Sequence, residues 1–331
     1  MKKNKGVLVT GGAGFIGSHM VDLLISKNLK VYVIDDFSGG HEKNLYHHKK
    51  NKNLIIENAD INNLKKIKSI FKNISSVYHF AGIGDIVPSI ENPLDYFKNN
   101  VQGTVNLLKY CTDSNVKKFI YAASSSCYGI TKNTPTKETQ ETNPMYPYAL
   151  TKLMGEQAVF HWGKVYNLHT NSIRIFNAYG PRVRTTGVYG AVFGVFFKQK
   201  LSNKPLTIVG DGNQKRDFIY VTDLARAFYE VSKISQKNQV FNVGSGNPQS
   251  INLLAEIIGG KKIYIPKRPG EPNITHANIT KIKNLTNWKP SIKFEVGVNK
   301  MLIDIQKWKD APLWSPNQIK KETKTWFKYL S

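Results

Sequence analysis

Cysteine is almost absent from this 331-residue chain, which has only Cys111 and Cys127. Two cysteines cannot build a disulfide framework, and the reducing cytoplasm is the setting they suit. Long apolar runs are missing too. None approaches the roughly 20 residues that a bilayer-crossing helix needs, so no membrane partner is expected. The amino terminus, MKKNKGVLVT, runs straight into a strand and a glycine loop, so no cleaved signal is expected either. Acidic residues number 23 against 47 basic ones, a formal charge of +24 that invites a nucleic-acid reading. Arginine is scarce, however. It occurs six times (Arg174, Arg182, Arg184, Arg216, Arg226 and Arg268), leaving 41 lysines scattered among asparagines along the whole length. Without a basic block or an arginine-rich stripe, those lysines read as solvated faces, and neither a nucleic-acid partner nor a metal is expected. Positive potential would still help to collect a pyrophosphate-bearing substrate.

What is present is enough to fold. With 40% hydrophobic residues the chain can bury one large core or two fused ones. Residues 6–10, 31–34, 54–57, 76–80 and 118–122 are short apolar runs of the kind found in buried parallel strands. Between them, 15–26, 62–73 and 90–113 carry apolar residues at helical spacing. Such alternation predicts an α/β fold with a doubly wound parallel sheet. Residues 1–180 are expected to form this domain, with about 217–245 returning to it. Glycines and prolines at 180–181, 187, 190, 205, 210, 212, 244, 246, 248 and 266–272 break up the later half. Residues 181–331 therefore read mainly as a smaller mixed lobe. From about 295 helical periodicity returns with Trp308, Trp314 and Trp326, predicting a packed helix pair punctuated by Pro312 and Pro316.

The first strand opens into Gly11, Gly14 and Gly17, spaced G-x-x-G-x-x-G, and then a helix. Glycines there allow a tight turn, a close backbone approach by a pyrophosphate and a helix hard against its strand. The helix amino terminus offers free amides to phosphate. A second strand ends in Asp35, 18 residues after Gly17, where a carboxylate can take both adenosine ribose hydroxyls and would repel a 2′-phosphate. The cofactor implied is NAD. Asp60, after the third strand, is placed to meet the adenine amino group or to cap a helix.

At 144–156 the chain reads PMYPYALTKLMGE, putting Tyr148 and Lys152 one helical turn apart on one face. A phenol titrating near ~10 is a poor base at neutral pH. A nearby ammonium, with the positive nicotinamide ring, would lower that value. Upstream, YAASSSCYG sets Ser124, Ser125 and Ser126 at the end of a buried strand, on the sheet edge where open α/β sheets bind ligands. A hydroxyl there could share a proton with the substrate and Tyr148. Cys127 reads as a packed side chain, having no histidine base near it in sequence.

With these residues in hand the chain resembles the extended short-chain dehydrogenases, and among them the UDP-sugar 4-epimerases. Between residue 5 and about 305 the matching segments include GGAGFIG, VIDDFSGG, ADI, HFAG, NNVQGT, SSS, YALTK, IRIFNAYGPR, GDGNQKRDFIYVTDLA, FNVGSG and RPGEP. The resemblance implies NAD contacts from the glycine loop with Phe15 and Ile16, and from Asp35, Asp36, Phe37, Ser38 and Gly39. Asp60, Ile61, Phe80, Ala81, Gly82, Asn99, Ser124, Tyr148, Lys152 and Phe176 would complete them. It implies a nucleotide-sugar site of Ser124, Ser126, Tyr148, Asn177, Val192, Arg216, Arg268 and Glu271. In a lysine-rich chain, arginine at 216 and 268 suits a bidentate grip on a diphosphate, with a structural ion pair as the alternative.

The activity implied is a transient oxidation: Tyr148 takes the proton of the sugar 4-hydroxyl, hydride leaves and returns, and NAD stays bound. Related dehydratases carry an Asp-Glu pair, and related decarboxylases a glutamate, in the stretch held here by Ser125 and Ser126, so elimination machinery looks absent. Thr275, by the family pattern, closes the sugar pocket, and a small residue there leaves space for a 2-acetamido group. Asn278 stands where relatives often have aspartate, and the 306–331 tail extends past the usual end. Epimerisation at another carbon, or of a uronate, would share the same residues. A redox-sensing or RNA-binding regulator of this fold is a more distant alternative. A homodimer is implied through helices at 90–113 and 147–165, where Leu107, Leu108, Leu153 and Val159 could supply contacts or face the sheet.

Overall fold

Residues 5–183 and 192–330 are described in a computed structural model; Gly187 and Gly190, expected to separate elements, lie outside them. Six strands, β1 (Gly6–Thr10), β2 (Val31–Asp35), β3 (Leu54–Asn58), β4 (Ile74–His79), β5 (Lys118–Ser124) and β6 (His169–Ile175), are joined by the strand Gln239–Val243. Across the sheet they run Gln239–Val243, β6, β5, β4, β1, β2, β3, every pair parallel. Both faces of β1 and β2 are buried, which is why they read as unbroken apolar runs rather than alternating ones. The chain order reverses between β1 and β4, opening a crevice at the carboxyl edge. The expected doubly wound parallel sheet is found.

One face is covered by α1 (Phe15–Ser26) and the helix Val221–Val231, whose Leu224 and Phe228 share a core with Met20 and Leu24. Helices Gly103–Asp113 and Pro147–Val165 cover the other. Leu107, Leu108 and Val159 are fully buried there with Phe119 and Tyr121 of β5, and Leu153 packs half-buried against Cys127 and Phe176. Of the two roles open to those four residues, Leu107, Leu108 and Val159 take the sheet-facing one, and Leu153 packs half-buried beside the end of the sheet.

Two expected helices differ. Residues 65–73 form a 3-10 segment, with Phe71 buried and Ile67 and Ile70 packed half-buried on the core, so the apolar spacing does mark the packing face but the backbone is wound more tightly than an α-helix. The 90–113 stretch is divided into Ile86–Glu91, Pro93–Tyr96, a π-turn at Phe97–Gln102 and Gly103–Asp113. Pro93 enforces the first boundary, and the π-turn rotates Asn99 and Asn100 towards the crevice side.

The smaller lobe combines the helices Val192–Leu201, Ile251–Ile258 and Phe294–Ile303 with the paired strands Leu206–Val209 and Lys262–Ile265. Its core is aromatic: Tyr179, Phe193, Phe197, Phe218, Phe294 and Trp308. Asp217, wholly buried, stitches lobe to sheet by accepting from Ser245 N at 2.6 Å, Ser245 Oγ at 2.7 Å and Ala277 N at 2.8 Å. Asp223 does the same for the backbone at Ser291 and Ile292. At the carboxyl end the helix pair is Pro316–Glu322 and Lys324–Tyr329, started by a Ser315–Gln318 capping box with Pro316 in the first turn.

Candidate active site

The glycine loop follows β1 as its sequence requires. Gly11 has φ +66°, and a Cβ there would lie 2.7 Å from Ala81 N; a Cβ at Gly17 would lie 2.1 Å from the Gly11 carbonyl. Gly14 caps α1 with no side chain on the first-turn amides, leaving them for an anion. Asp35 is buried, its oxygens accepting from Ala13 N at 2.8 Å and Phe37 N at 2.9 Å. Burial raises its pKa.

These residues open onto a cleft of about 650 Å³, also lined by Phe15, Ile16, Asp36, Ser38, Gly39, Asp60, Ile61, Phe80, Ala81, Gly82, Asn99, Ser124, Tyr148, Lys152 and Phe176. Phe37 is the exception. Its φ is +58° and its ring packs against the core beneath the sheet. Asp60 Oδ1 accepts from Asn62 N at 2.8 Å, so the carboxylate that faces the cleft also caps its own turn. The glycine cradle, the uncapped helix start, the ribose-height carboxylate and the lysine fit a dinucleotide.

Tyr148 begins the helix Pro147–Val165 and Lys152 follows one turn on, both facing the cleft. Burial brings the Lys152 ammonium from 10.5 down to about 8, with Glu156 opposing; its Nζ sits 4.5 Å from the Tyr121 ring centroid. Glu156 is itself paired with Arg174 at 2.6 Å. Burial also raises the Tyr148 phenol, against a hydrogen bond with Ser124 that lowers it. In the chain alone desolvation is the largest influence on this phenol; the lowering expected from the ammonium was expected together with the positive nicotinamide ring. Ser126 pairs instead with Tyr146, whose buried phenol is pushed up to about 12. Asn100 holds the floor: it accepts from Ile83 N at 2.8 Å and donates to Thr151 Oγ1 at 3.1 Å, tying the loop after β4 to the helix that carries Tyr148 and Lys152.

A second pocket, about 400 Å³, is lined by Ser126, Asn177, Val192, Arg216, Arg268, Glu271 and Thr275. It meets the first at Asp85 and Ala178, which line both. Arg216 is ion-paired to Glu271 at 2.6 Å and also donates to Pro272 O at 2.9 Å. The Thr275 hydroxyl donates to Asn177 Oδ1 at 2.8 Å and accepts from Asp217 N at 3.1 Å. Sequence reasoning missed Asp85 (φ +92°), Tyr146, Ile319 and Trp326, all of which line this pocket. Tyr146 carried a signal, lying two residues before Tyr148. The other three carried none.

Cys111 and Cys127 are buried free thiols. Asp22, His47 and His48 converge outside the cleft, but Arg182 takes the other Asp22 oxygen at 2.8 Å, making a charged hydrogen-bond cluster of it. No helix among the described residues is long and apolar enough to cross a membrane.

A dinucleotide cleft joined to a second pocket across a Tyr–Lys helix defines a dehydrogenase-type site. The model of the NAD dependent epimerase/dehydratase family matches residues 7–244, and the chain belongs to that family. A relative from Methanocaldococcus jannaschii named a putative UDP-glucose 4-epimerase is 35% identical, the match covering 89% of this chain and 97% of the relative. A UDP-glucuronate 4-epimerase from Thermodesulfobacterium geofontis is 34% identical over 88% and 94%. Among solved structures, a UDP-N-acetylglucosamine 4-epimerase from Methanobrevibacter ruminantium, in complex with UDP-N-acetylmuramic acid, superposes with a TM-score of 0.84 at 33% identity, covering 91% of this chain and 99% of that one. A UDP-glucuronic acid 4-epimerase from Bacillus cereus, bound to UDP-glucuronic acid and NAD, gives 0.84 at 30% identity over 91% and 99%.

Proposed function

We propose that this chain interconverts the 4-epimers of a UDP-hexose or UDP-N-acetylhexosamine, in the cytoplasm and as a homodimer. The observation that carries the reading is the junction of the two pockets. Tyr148 and Ser124 stand on the cofactor side, Ser126 and Asn177 on the sugar side, and the strand end holds no carboxylate for elimination. Tyr148 takes the proton from the sugar 4-hydroxyl, with Ser124 in the same hydrogen-bonded relay. Lys152 holds positive charge beneath it. Bound NAD supplies the hydride acceptor and donor and the positive ring that favours the phenolate. Arg216 and Arg268 hold the diphosphate while the 4-ketose turns, and Tyr148 then returns the proton to the opposite epimer. Thr275, with its hydroxyl already hydrogen-bonded, leaves its small side chain against the sugar. The dimer reading rests on the family and on Leu94 and Leu150, which are exposed on the segments that the family uses; sedimentation velocity tests it.

The deciding experiment is proton NMR of the holoenzyme with UDP-N-acetylglucosamine and UDP-glucose in deuterated buffer without added NAD. A galacto anomeric signal with no deuterium in the sugar is expected. Deuterium at carbon 3 or 5, or a deoxy methyl signal, would sink the proposal. Turnover of UDP-glucuronate alone would move the substrate to a uronate.

A further inference from the structure

The last sixteen described residues reach back across the molecule. On the small-lobe side the preceding chain is fastened by Gln199 Nε2 donating to Trp314 O at 3.0 Å and by Lys198 Nζ donating to Lys309 O. On the other side the helix Lys324–Tyr329 packs against the helix Ile86–Glu91, and Thr325 Oγ1 donates to Glu91 Oε1 at 2.8 Å. That second helix begins directly after Asp85, one of the two residues shared by the pockets. Between these anchor points Ile319 and Trp326 are buried, 6% and 4% exposed, and both line the nucleotide-sugar pocket.

Trp326 acts on one turn in particular. Its Nε1 donates to Pro269 O at 2.6 Å, and the Arg268 guanidinium lies 5.8 Å from its ring centroid. Gly270, φ +67°, comes so close that a Cβ there would be 3.0 Å from Leu330 O. The same turn carries Glu271, the partner of Arg216. It belongs to no helix or strand, and behind it lies an open hollow of about 500 Å³ bordered by Ile130, Lys267 and Phe327. Arg216 holds the turn through Glu271 and Pro272 O. The indole holds it as well, from a distant part of the sequence.

We propose that Trp326 is a positioning residue for nucleotide-sugar binding, and that the carboxy-terminal helix pair is a wall of the substrate pocket. The proposal rests on the pocket being a UDP-sugar site. By fixing Pro269, Trp326 sets Arg268 and the Arg216–Glu271 pair at the separation a diphosphate and its nucleoside require. Its loss therefore costs binding rather than chemistry, since Tyr148, Lys152 and Ser124 lie on other elements.

The test uses NAD-loaded protein with UDP as probe, measured by titration calorimetry, in wild type, Trp326→Ala, Trp326→Phe and a chain ending at Trp314. Trp326→Ala is expected to weaken UDP binding about tenfold or more (~1.4 kcal/mol) and to raise KM correspondingly, while kcat stays within about threefold of wild type. Trp326→Phe keeps an aromatic ring and loses the N–H, so its affinity should fall between, and a change in tryptophan fluorescence on adding UDP is expected in wild type and not in this variant. NAD content holds in each. UDP affinity unchanged in both Trp326→Ala and the shortened chain overturns the proposal, as does a fall in kcat at constant KM. Wild type that binds UDP yet epimerises no UDP-sugar sinks the reaction proposed above and leaves the affinity comparison standing. Wild type that does not bind UDP overturns both.

Discussion

Lys152 shows how a single residue is put under tension by its place. Its ammonium is held where burial disfavours charge, over a tyrosine ring and one turn from a carboxylate already engaged by Arg174. In the NAD-free chain its pKa falls from 10.5 to about 8, so between those values the unfolded chain binds more protons than the folded one. Stability should therefore rise with pH across that window. Lys152→Met should flatten the rise and unfold at a higher temperature near neutral pH while losing most activity, which thermal melts of stripped protein at stepped pH can follow. Tyr148→Phe should lower kcat by about 10²-fold or more while UDP affinity stays unchanged by calorimetry. Thr275→Tyr should fill the sugar end; UDP-N-acetylglucosamine turnover should drop well below that of UDP-glucose, and undiminished turnover would remove Thr275 from specificity.

At the level of elements, small residues decide how closely backbones meet. The Cβ of a residue at 17 would fall 2.1 Å from the Gly11 carbonyl, with backbone on both sides and nothing flexible to yield. Gly17→Val is thus expected to cost about 1–3 kcal/mol and to purify without NAD, as ultraviolet absorbance and a lowered melting temperature would show. Gly155 does the same for the catalytic helix: a Cβ would lie 2.3 Å from the Tyr121 hydroxyl. The glycine loop and the Tyr148–Lys152 spacing were legible because they are local, whereas the approach of Gly155 to Tyr121 was not. The loop, its strand and its helix are contiguous, and Tyr148 and Lys152 share a face through helical spacing alone. Where elements departed from expectation, at 65–73 and 90–102, the apolar spacing was present, but the backbone is wound as a 3-10 segment in the first and interrupted at Pro93 and by the π-turn in the second.

Over the whole molecule, buried carboxylates join the lobes. Asp217 accepts from backbone and side chain at Ser245 and from Ala277 N, linking the motifs at 210–225, 241–246 and 268–278. Replacing one oxygen by an amide turns acceptor against donor, so Asp217→Asn should cost about 2–4 kcal/mol and lower the thermal midpoint without altering Tyr148. An unchanged midpoint would show that the lobes are held elsewhere. Part of the motif pattern that marked the family is thus architectural: Asp217 and Asp223 meet backbone amides, not substrate.

The sequence alone determined the parallel sheet, the NAD loop, Asp35, and the pairing of Tyr148 with Lys152. The last three are written in spacing over about twenty residues, where backbone geometry leaves few options, and the sheet in the alternation of strand and helix patterns along 6–122. The tertiary structure decided what distance along the chain conceals. It turned Leu107, Leu108 and Val159 inward, joined Arg216 to Glu271, laid Phe37 half-buried against the core, and brought Trp326 to Pro269. Those contacts depend on how packed elements meet, and no local spacing encodes the place where two chain segments cross.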